Sequence, residues 1–283
     1  MTIFEAYNTT KQKLQKAGIE DYVFEAKQII KHITGRSSTE ILTQYNKKLS
    51  EYEENNLIAL IHQREVRYPL QYIFGKWSFY GSQFFVGPGV LVPRADTETL
   101  IDEALDYLKQ RQNAKVLDLC AGSGCIGITL AKERKESQVF LLEKYDEALY
   151  YLNKNIELNG CENTEALKGD VLKGDLNDGE YDLIVSNPPY VRESEMADIS
   201  PETKFEPETA LKALDDGLEF YKAIIKNYTK SLKVGGMIIF EFGINEAKKI
   251  AEILKASGYG NIEIKNDLNG KPRVIKAIKA EER

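Results

Sequence analysis

Apolar residues change their spacing twice along this chain. Over residues 3–17 and 20–34 they recur at helical intervals punctuated by Gly18 and Gly35, which predicts two amphipathic helices. Ser50-x-x-Glu53 is a capping-box pattern, and behind it Leu57, Leu60 and Ile61 share one face of a third helix running to about Arg67. From Pro69 to Pro93 aromatic and β-branched residues (Phe74, Phe79, Tyr80, Phe84, Phe85, Val86) are interleaved with Gly75, Gly81, Gly87 and Gly89, which predicts a β-hairpin. Asp96 or Thr97 can cap a helix to about Gln112. Beyond Lys115, short apolar runs alternate with helical stretches. Strands are expected at Val116–Leu119, Val139–Glu143, Ala166–Asp170, Tyr181–Ser186 and Met237–Phe242, with a closing pair at Ile262–Ile264 and Arg273–Ile278. Helices are expected after Gly122–Gly127, from Asp146 to Gly160, from Asp216 or Gly217 to Lys233, and from Glu246 to Ser257. That alternation predicts an α/β fold: a mostly parallel sheet with helices on both faces and an antiparallel closing strand. The domains expected are a helical one over 1–74, a hairpin linker over 75–93 and the α/β domain over 94–283.

Composition narrows the class. With 42% hydrophobic and 29% charged residues in 283, the chain has the make-up of a soluble globular protein. No apolar run is long enough to span a membrane, and Met1-Thr2-Ile3-Phe4-Glu5 does not open a signal peptide; a cytoplasmic location and no membrane partner are expected. The formal net charge is −6, and no dense Lys/Arg cluster offsets it, which weighs against nucleic acid as a direct partner. The acidity lies beyond residue 75. Three cysteines, Cys120, Cys125 and Cys161, form no C-x-x-C pair. Both histidines, His32 and His62, fall in the helical region, so a zinc site or a histidine-based triad has almost nothing to be built from.

The candidate chemistry lies at strand ends. Gly122-Ser-Gly-Cys-Ile-Gly127 is a G-x-G-x-x-G turn between a strand and a helix. It can place pyrophosphate at the helix N-terminus, let backbone approach the amino-acid end of S-adenosylmethionine, or simply make a tight turn. Glu143 ends the next strand, roughly twenty residues on, where a carboxylate can accept from ribose hydroxyls. Asp170 ends the third, where an acid or the following backbone N–H can meet an adenine edge. The fourth strand runs into Asn187-Pro-Pro-Tyr190. Two prolines end its ladder and leave carbonyl acceptors, one side-chain amide and one aromatic ring, a set suited to holding a planar –NH₂ group. A dehydrogenase has no need of that corner; a methyl transfer to nitrogen does.

Asp118-Leu-Cys-Ala-Gly-Ser-Gly followed by Asn187-Pro-Pro-Tyr resembles the nitrogen-directed, Rossmann-like methyltransferases. Pro69-Leu-Gln-Tyr-Ile-Phe-Gly, Val92-Pro-Arg-Ala-Asp-Thr-Glu, and Phe205-Glu-Pro with Ala210-Leu211 resemble the peptide chain release factor N(5)-glutamine methyltransferases. The resemblance spans most of residues 69–243. It implies S-adenosyl-L-methionine as cofactor, S-adenosyl-L-homocysteine as product, and class I release factors as protein substrate, methylated on the glutamine of a Gly-Gly-Gln motif. It implies a cofactor site of Cys120, Ala121, Gly122, Ser123, Gly124, Glu143, Val171 and Asn187. Asn187, Pro188, Pro189 and Tyr190 would hold the glutamine amide with Phe205 at the substrate site, and Asn187, Pro188 and Tyr190 would act in catalysis. The helical domain would dock the substrate, and a monomer is expected. Three positions depart from the family pattern: Cys120 where Gly is usual, Glu143 where Asp is common, and Lys204 where Arg commonly precedes Phe-Glu-Pro. The alternative is an amino-methyltransferase acting on an exocyclic base nitrogen of DNA or RNA, since the same corner suits that group.

Overall fold

In the computed structural model, which describes residues 1–267 and 269–281, the helical spacing near the N-terminus becomes five helices: α1 (Ile3–Lys16), α2 (Tyr22–Thr34), α3 (Ser38–Thr43), α4 (Glu51–Glu65) and α5 (Leu70–Phe74). Three of them open on reciprocal capping boxes, Thr2 with Glu5, Ser37 with Glu40 and Ser50 with Glu53, each pairing two otherwise orphaned N–H groups. Gly35, at φ 63°, ends α2 in the left-handed conformation that glycine tolerates best. The buried faces of α1, α2 and α4 share one core of Ile3, Leu14, Ile29, Ile30, Leu57 and Ile61. Helices α3 and α5, only 6 and 5 residues long, are too short for a period to show, and the second occupies residues whose aromatic content suggested hairpin.

The chain divides into two compact units, Met1–Gly75 with Ser200–Phe205, and Lys76–Ile199 with the chain from Glu206 onward. In the first unit, Arg64 is 3% exposed. Its guanidinium donates to Glu25 at 2.6 Å and to Glu202 at 2.7 Å, and Arg67 donates to Glu202 at 2.9 Å. This buried network ties Ser200–Phe205 to α2 and α4.

The second unit begins with the hairpin β1 (Lys76–Phe79) and β2 (Ser82–Phe85). It continues through α6 (Glu98–Leu108), β3 (Lys115–Leu119), α7 (Cys125–Glu133), β4 (Gln138–Glu143), α8 (Asp146–Asn159), β5 (Thr164–Lys168), β6 (Tyr181–Ser186), α9 (Glu219–Tyr228), β7 (Leu232–Glu241), α10 (Ala247–Ala256), β8 (Tyr259–Asn266) and β9 (Pro272–Lys279). The sheet order is β5-β4-β3-β6-β7-β9-β8; β9 runs antiparallel to both its neighbours and the remaining pairs are parallel. Central strands are apolar on both faces because each face is covered. Val116, Leu183 and Val185 join a core with α6, α7 and α8; Leu117, Leu119 and Ile184 join another with α9 and α10.

Several expected boundaries moved, α6 for one ending at Leu108 rather than about Gln112. The helix expected to open at Asp216 or Gly217 starts at Glu219, because Asp215, Asp216 and Gly217 are all left-handed, at φ 53°, 58° and 83°. It stops at Tyr228 rather than Lys233: the Thr229 hydroxyl donates back to the Ile225 carbonyl, a local bond that competes with helix continuation. No helix among the described residues is long and apolar enough to cross a membrane.

Candidate active site

At the carboxyl edge of the sheet, β3 leads into a turn with three left-handed residues, Cys120 at φ 61°, Gly122 at 55° and Gly124 at 77°. The two glycines adopt that region freely; Cys120 carries a Cβ into it. Asp118, fully buried at the end of β3, anchors the turn by accepting from the Gly127 N–H at 2.8 Å. Its Oδ1 has no hydrogen-bond partner among the described residues. Burial raises its carboxyl to about 7, against the pull of the Gly127 bond, and the charge of Glu143 adds to the rise. The Ser123 N–H makes no hydrogen bond among the described residues and belongs to the residue just before the N-cap of α7, where the helix dipole favours a negative group. Burial also keeps both thiols of the turn neutral: Cys125 is pushed up to about 12 and Cys120 well above its usual range, with the Glu143 charge adding to the latter.

Glu143, 7% exposed, is heavily engaged. One oxygen accepts from the Gly122 N–H at 2.8 Å, and the other from the N–H groups of Lys144 and Tyr145 at 2.7 and 2.9 Å. The longer side chain of Glu, compared with Asp, lets it span from β4 to the glycine turn. β5 ends at Lys168, two residues earlier than expected, so Asp170 lies just past the strand. Its carboxylate pairs with Lys144 at 3.0 Å and accepts from the Leu172 N–H at 3.0 Å. The Val171 N–H between them makes no hydrogen bond among the described residues.

Strand β6 delivers Asn187-Pro188-Pro189-Tyr190. The chain is then held by Leu211, whose carbonyl accepts from the N–H groups of Tyr190 and Val191 at 3.1 and 2.8 Å. Neither the Asn187 side chain nor the Pro188 carbonyl has a hydrogen-bond partner among the described residues. Tyr190 packs on the end of β7: a Cβ at Gly243 would come 2.8 Å from its Cδ2. Burial, and next the charge of Glu241, raise its phenol above the ordinary value. Opposite the corner, Glu206 accepts from the Val92 N–H at 2.9 Å and pairs with Arg94, tying the hairpin tail to the start of the 206–214 stretch.

These elements surround a cavity of about 370 Å³, within the range of small-molecule sites. Of the residues singled out from the sequence, Cys120, Ala121, Gly122, Ser123, Glu143, Val171, Asn187 and Pro189 line it. Gly124, Pro188 and Tyr190 are not among the lining residues, and Phe205 belongs to the helical unit, where its ring packs edge-on to Tyr68 at 5.3 Å. Sequence reasoning did not single out the wall Gly89–Arg94 as part of the cofactor pocket, nor Thr209, Lys212 and Phe220. The Val92-Pro-Arg motif was a signal for the first; nothing local marks the others, of which Lys212 is paired with Val191 and Phe220 stands in the first turn of α9.

Residues 97–221 match the family model described as methyltransferase small domain, and residues 5–75 match the one described as PrmC N-terminal domain. The chain is 35% identical over 282 residues to a release factor glutamine methyltransferase of Fusobacterium nucleatum, with 98% of this chain and 80% of that protein covered. It is 37% identical over 254 residues to a release factor glutamine methyltransferase of Thermodesulfovibrio yellowstonii, covering 89% and 90%. A solved methyltransferase from Pyrococcus furiosus shares the fold at a TM-score of 0.55 and 20% identity, covering 72% of this chain and 92% of that one.

Proposed function

The chain belongs to the release factor glutamine methyltransferases, and from that premise we propose that it methylates the side-chain amide nitrogen of the glutamine in the Gly-Gly-Gln motif of class I release factors, in the cytoplasm, with S-adenosyl-L-methionine as donor. The observation that carries this reading is the pair of unpaired acceptors at the corner after β6, the Asn187 side-chain oxygen on the cavity wall and the Pro188 carbonyl beside it. An amide –NH₂ has two hydrogens to place and a nitrogen lone pair withdrawn into its carbonyl. Two fixed acceptors meet both hydrogens and orient the nitrogen. They also stabilise positive charge that grows on it.

The residues of the cavity fit the cofactor. The unpaired Ser123 N–H at the start of α7 suits a carboxylate, Glu143 at the end of β4 suits a ribose diol, and the unpaired Val171 N–H suits an adenine ring nitrogen. When bound, S-adenosylmethionine supplies the electrophilic methyl group and departs as S-adenosylhomocysteine. Of the carboxylates on the wall, Glu143 is held by three backbone N–H groups, with its remaining lone pair left for the ribose, and Asp170 pairs with Lys144. No strong base is therefore assigned: Asn187 and Pro188 hold the hydrogens, and the nitrogen sheds its proton to solvent once methylated and acidic.

The deciding experiment incubates the protein with methyl-labelled S-adenosylmethionine and, in separate reactions, a class I release factor, duplex DNA and ribosomal RNA, then locates the label by mass spectrometry. Label on the Gly-Gly-Gln glutamine is expected. Label only on a base amino group would instead favour the exocyclic-nitrogen reading, which the same corner geometry serves.

A further inference from the structure

The hairpin tail lies along α8 in a matched register. Asn159, Asn155, Tyr151 and Glu147 stand four apart on one face of the helix, and Gln83, Phe85, Gly87 and Gly89 stand two apart on the chain. Each meets its counterpart. The Asn159 amide donates to the Gln83 carbonyl at 3.0 Å. The Phe85 N–H donates to Asn155 Oδ1 at 2.6 Å, and Asn155 Nδ2 donates back to the Phe85 carbonyl at 3.1 Å. A Cβ on Gly87 would run into the Tyr151 hydroxyl, and one on Gly89 would lie 2.6 Å from Glu147 Cβ. Two extended residues advance about 6.7 Å and four helical ones about 6.0 Å, so the periods nearly coincide along β2, and the turn at Gly87–Val90 carries the contacts on. The two asparagines thus serve as the neighbouring strand that the outer edge of β2 lacks.

Asn155 does more than its neighbours on that face. It is fully buried, and its Nδ2 also donates to the Ser123 carbonyl at 2.9 Å. Ser123 belongs to the glycine turn, one wall of the cavity; the chain just beyond Phe85 continues into Gly89–Arg94, another wall. One side chain therefore pins both. We propose that Asn155 is a positioning residue for the cofactor site, setting the spacing between the glycine turn and the hairpin tail without touching the cofactor itself. The proposal rests on reading the cavity as the S-adenosylmethionine site. Asn159 provides the internal comparison, because it holds the hairpin and Lys132 but not the glycine turn.

The test is calorimetric titration of the full chain with S-adenosylhomocysteine, alongside melting temperature, for wild type, Asn155→Ala, Asn155→Asp and Asn159→Ala. Asn155→Asp is isosteric and keeps the acceptor for the Phe85 N–H while losing the donor shared by the Ser123 and Phe85 carbonyls, so it answers the question if the alanine variant does not fold. Both sites should lower the melting temperature, but only the Asn155 variants should weaken binding, by about tenfold. In methyl transfer their KM for the cofactor should rise while kcat holds. Equal affinity for the Asn155 and Asn159 variants would overturn the positioning role. Wild-type protein that does not bind S-adenosylhomocysteine would overturn the cofactor assignment of the cavity, and the role with it.

Discussion

At the scale of single residues, the two groups that matter most differ in what their loss should do. Asn187 offers an acceptor that nothing among the described residues uses, so its removal should not disturb folding. Asn187→Ala should lower kcat by about 10²–10³-fold, the usual cost of one preorganised electrostatic contact, with S-adenosylhomocysteine affinity nearly unchanged; single-turnover methyl transfer to a release factor measures the first and calorimetry the second. A variant retaining near-normal transfer would remove Asn187 from the mechanism. Cys120 is the opposite case. Its left-handed backbone at φ 61° costs a side-chain-bearing residue about 1–2 kcal/mol, and glycine gives part of that back through greater freedom when unfolded. Cys120→Gly should therefore stabilise the protein by up to about 1 kcal/mol in urea denaturation, and a loss of stability would show that the thiol's packing outweighs the strain.

At the scale of elements, what the sequence made legible was what local chemistry decides. The Ser50–Glu53 capping box, the glycine that ends α2 and the two-faced apolar runs of β3 and β6 act within a few residues, so their elements stand close to where the pattern placed them. Helix α9 was misjudged at both ends because its limits are set by three left-handed residues and a threonine back-bond, neither of which alters hydrophobic spacing. The candidate site divides the same way. The strand-end residues were legible, whereas Lys212 lines the cavity through a long-range return of the chain that no periodicity records. The clearest such case is Glu202, far from α4 in sequence yet bonded to Arg64 and Arg67. Arg64→Ala would leave Glu25 and Glu202 without their buried cation, a loss worth about 3–5 kcal/mol. Proteolysis should then cut first within Ser200–Phe205; unchanged protection of that segment would mean the network does not hold it.

At the scale of the whole molecule, buried acids decide how stability follows pH. Asp118, Glu241 and Glu246 are each 2% exposed or less, and burial, first among the causes in every case, raises each carboxyl to about 7. Gly127 and Gly243 N–H groups, Thr97, Arg273 and Arg192 pull the other way without cancelling it. In the unfolded chain the same groups titrate near their ordinary values, about 4. Between roughly pH 4.5 and 7 the folded state therefore binds protons that the unfolded state has released, and stability must fall as pH rises through that window. His32 opposes this: burial lowers its imidazole, so its contribution is lost as pH falls below the unfolded value and grows as pH rises. Three carboxyls against one imidazole set the net direction. The melting temperature of the apo protein should fall between pH 5 and pH 8, and Glu241→Gln, which removes one titrating group while keeping an acceptor for Thr97, should flatten the slope. A melting temperature that rises across that interval would mean these carboxyls are already ionised in the fold, held by Arg192 and Arg273 more strongly than burial resists.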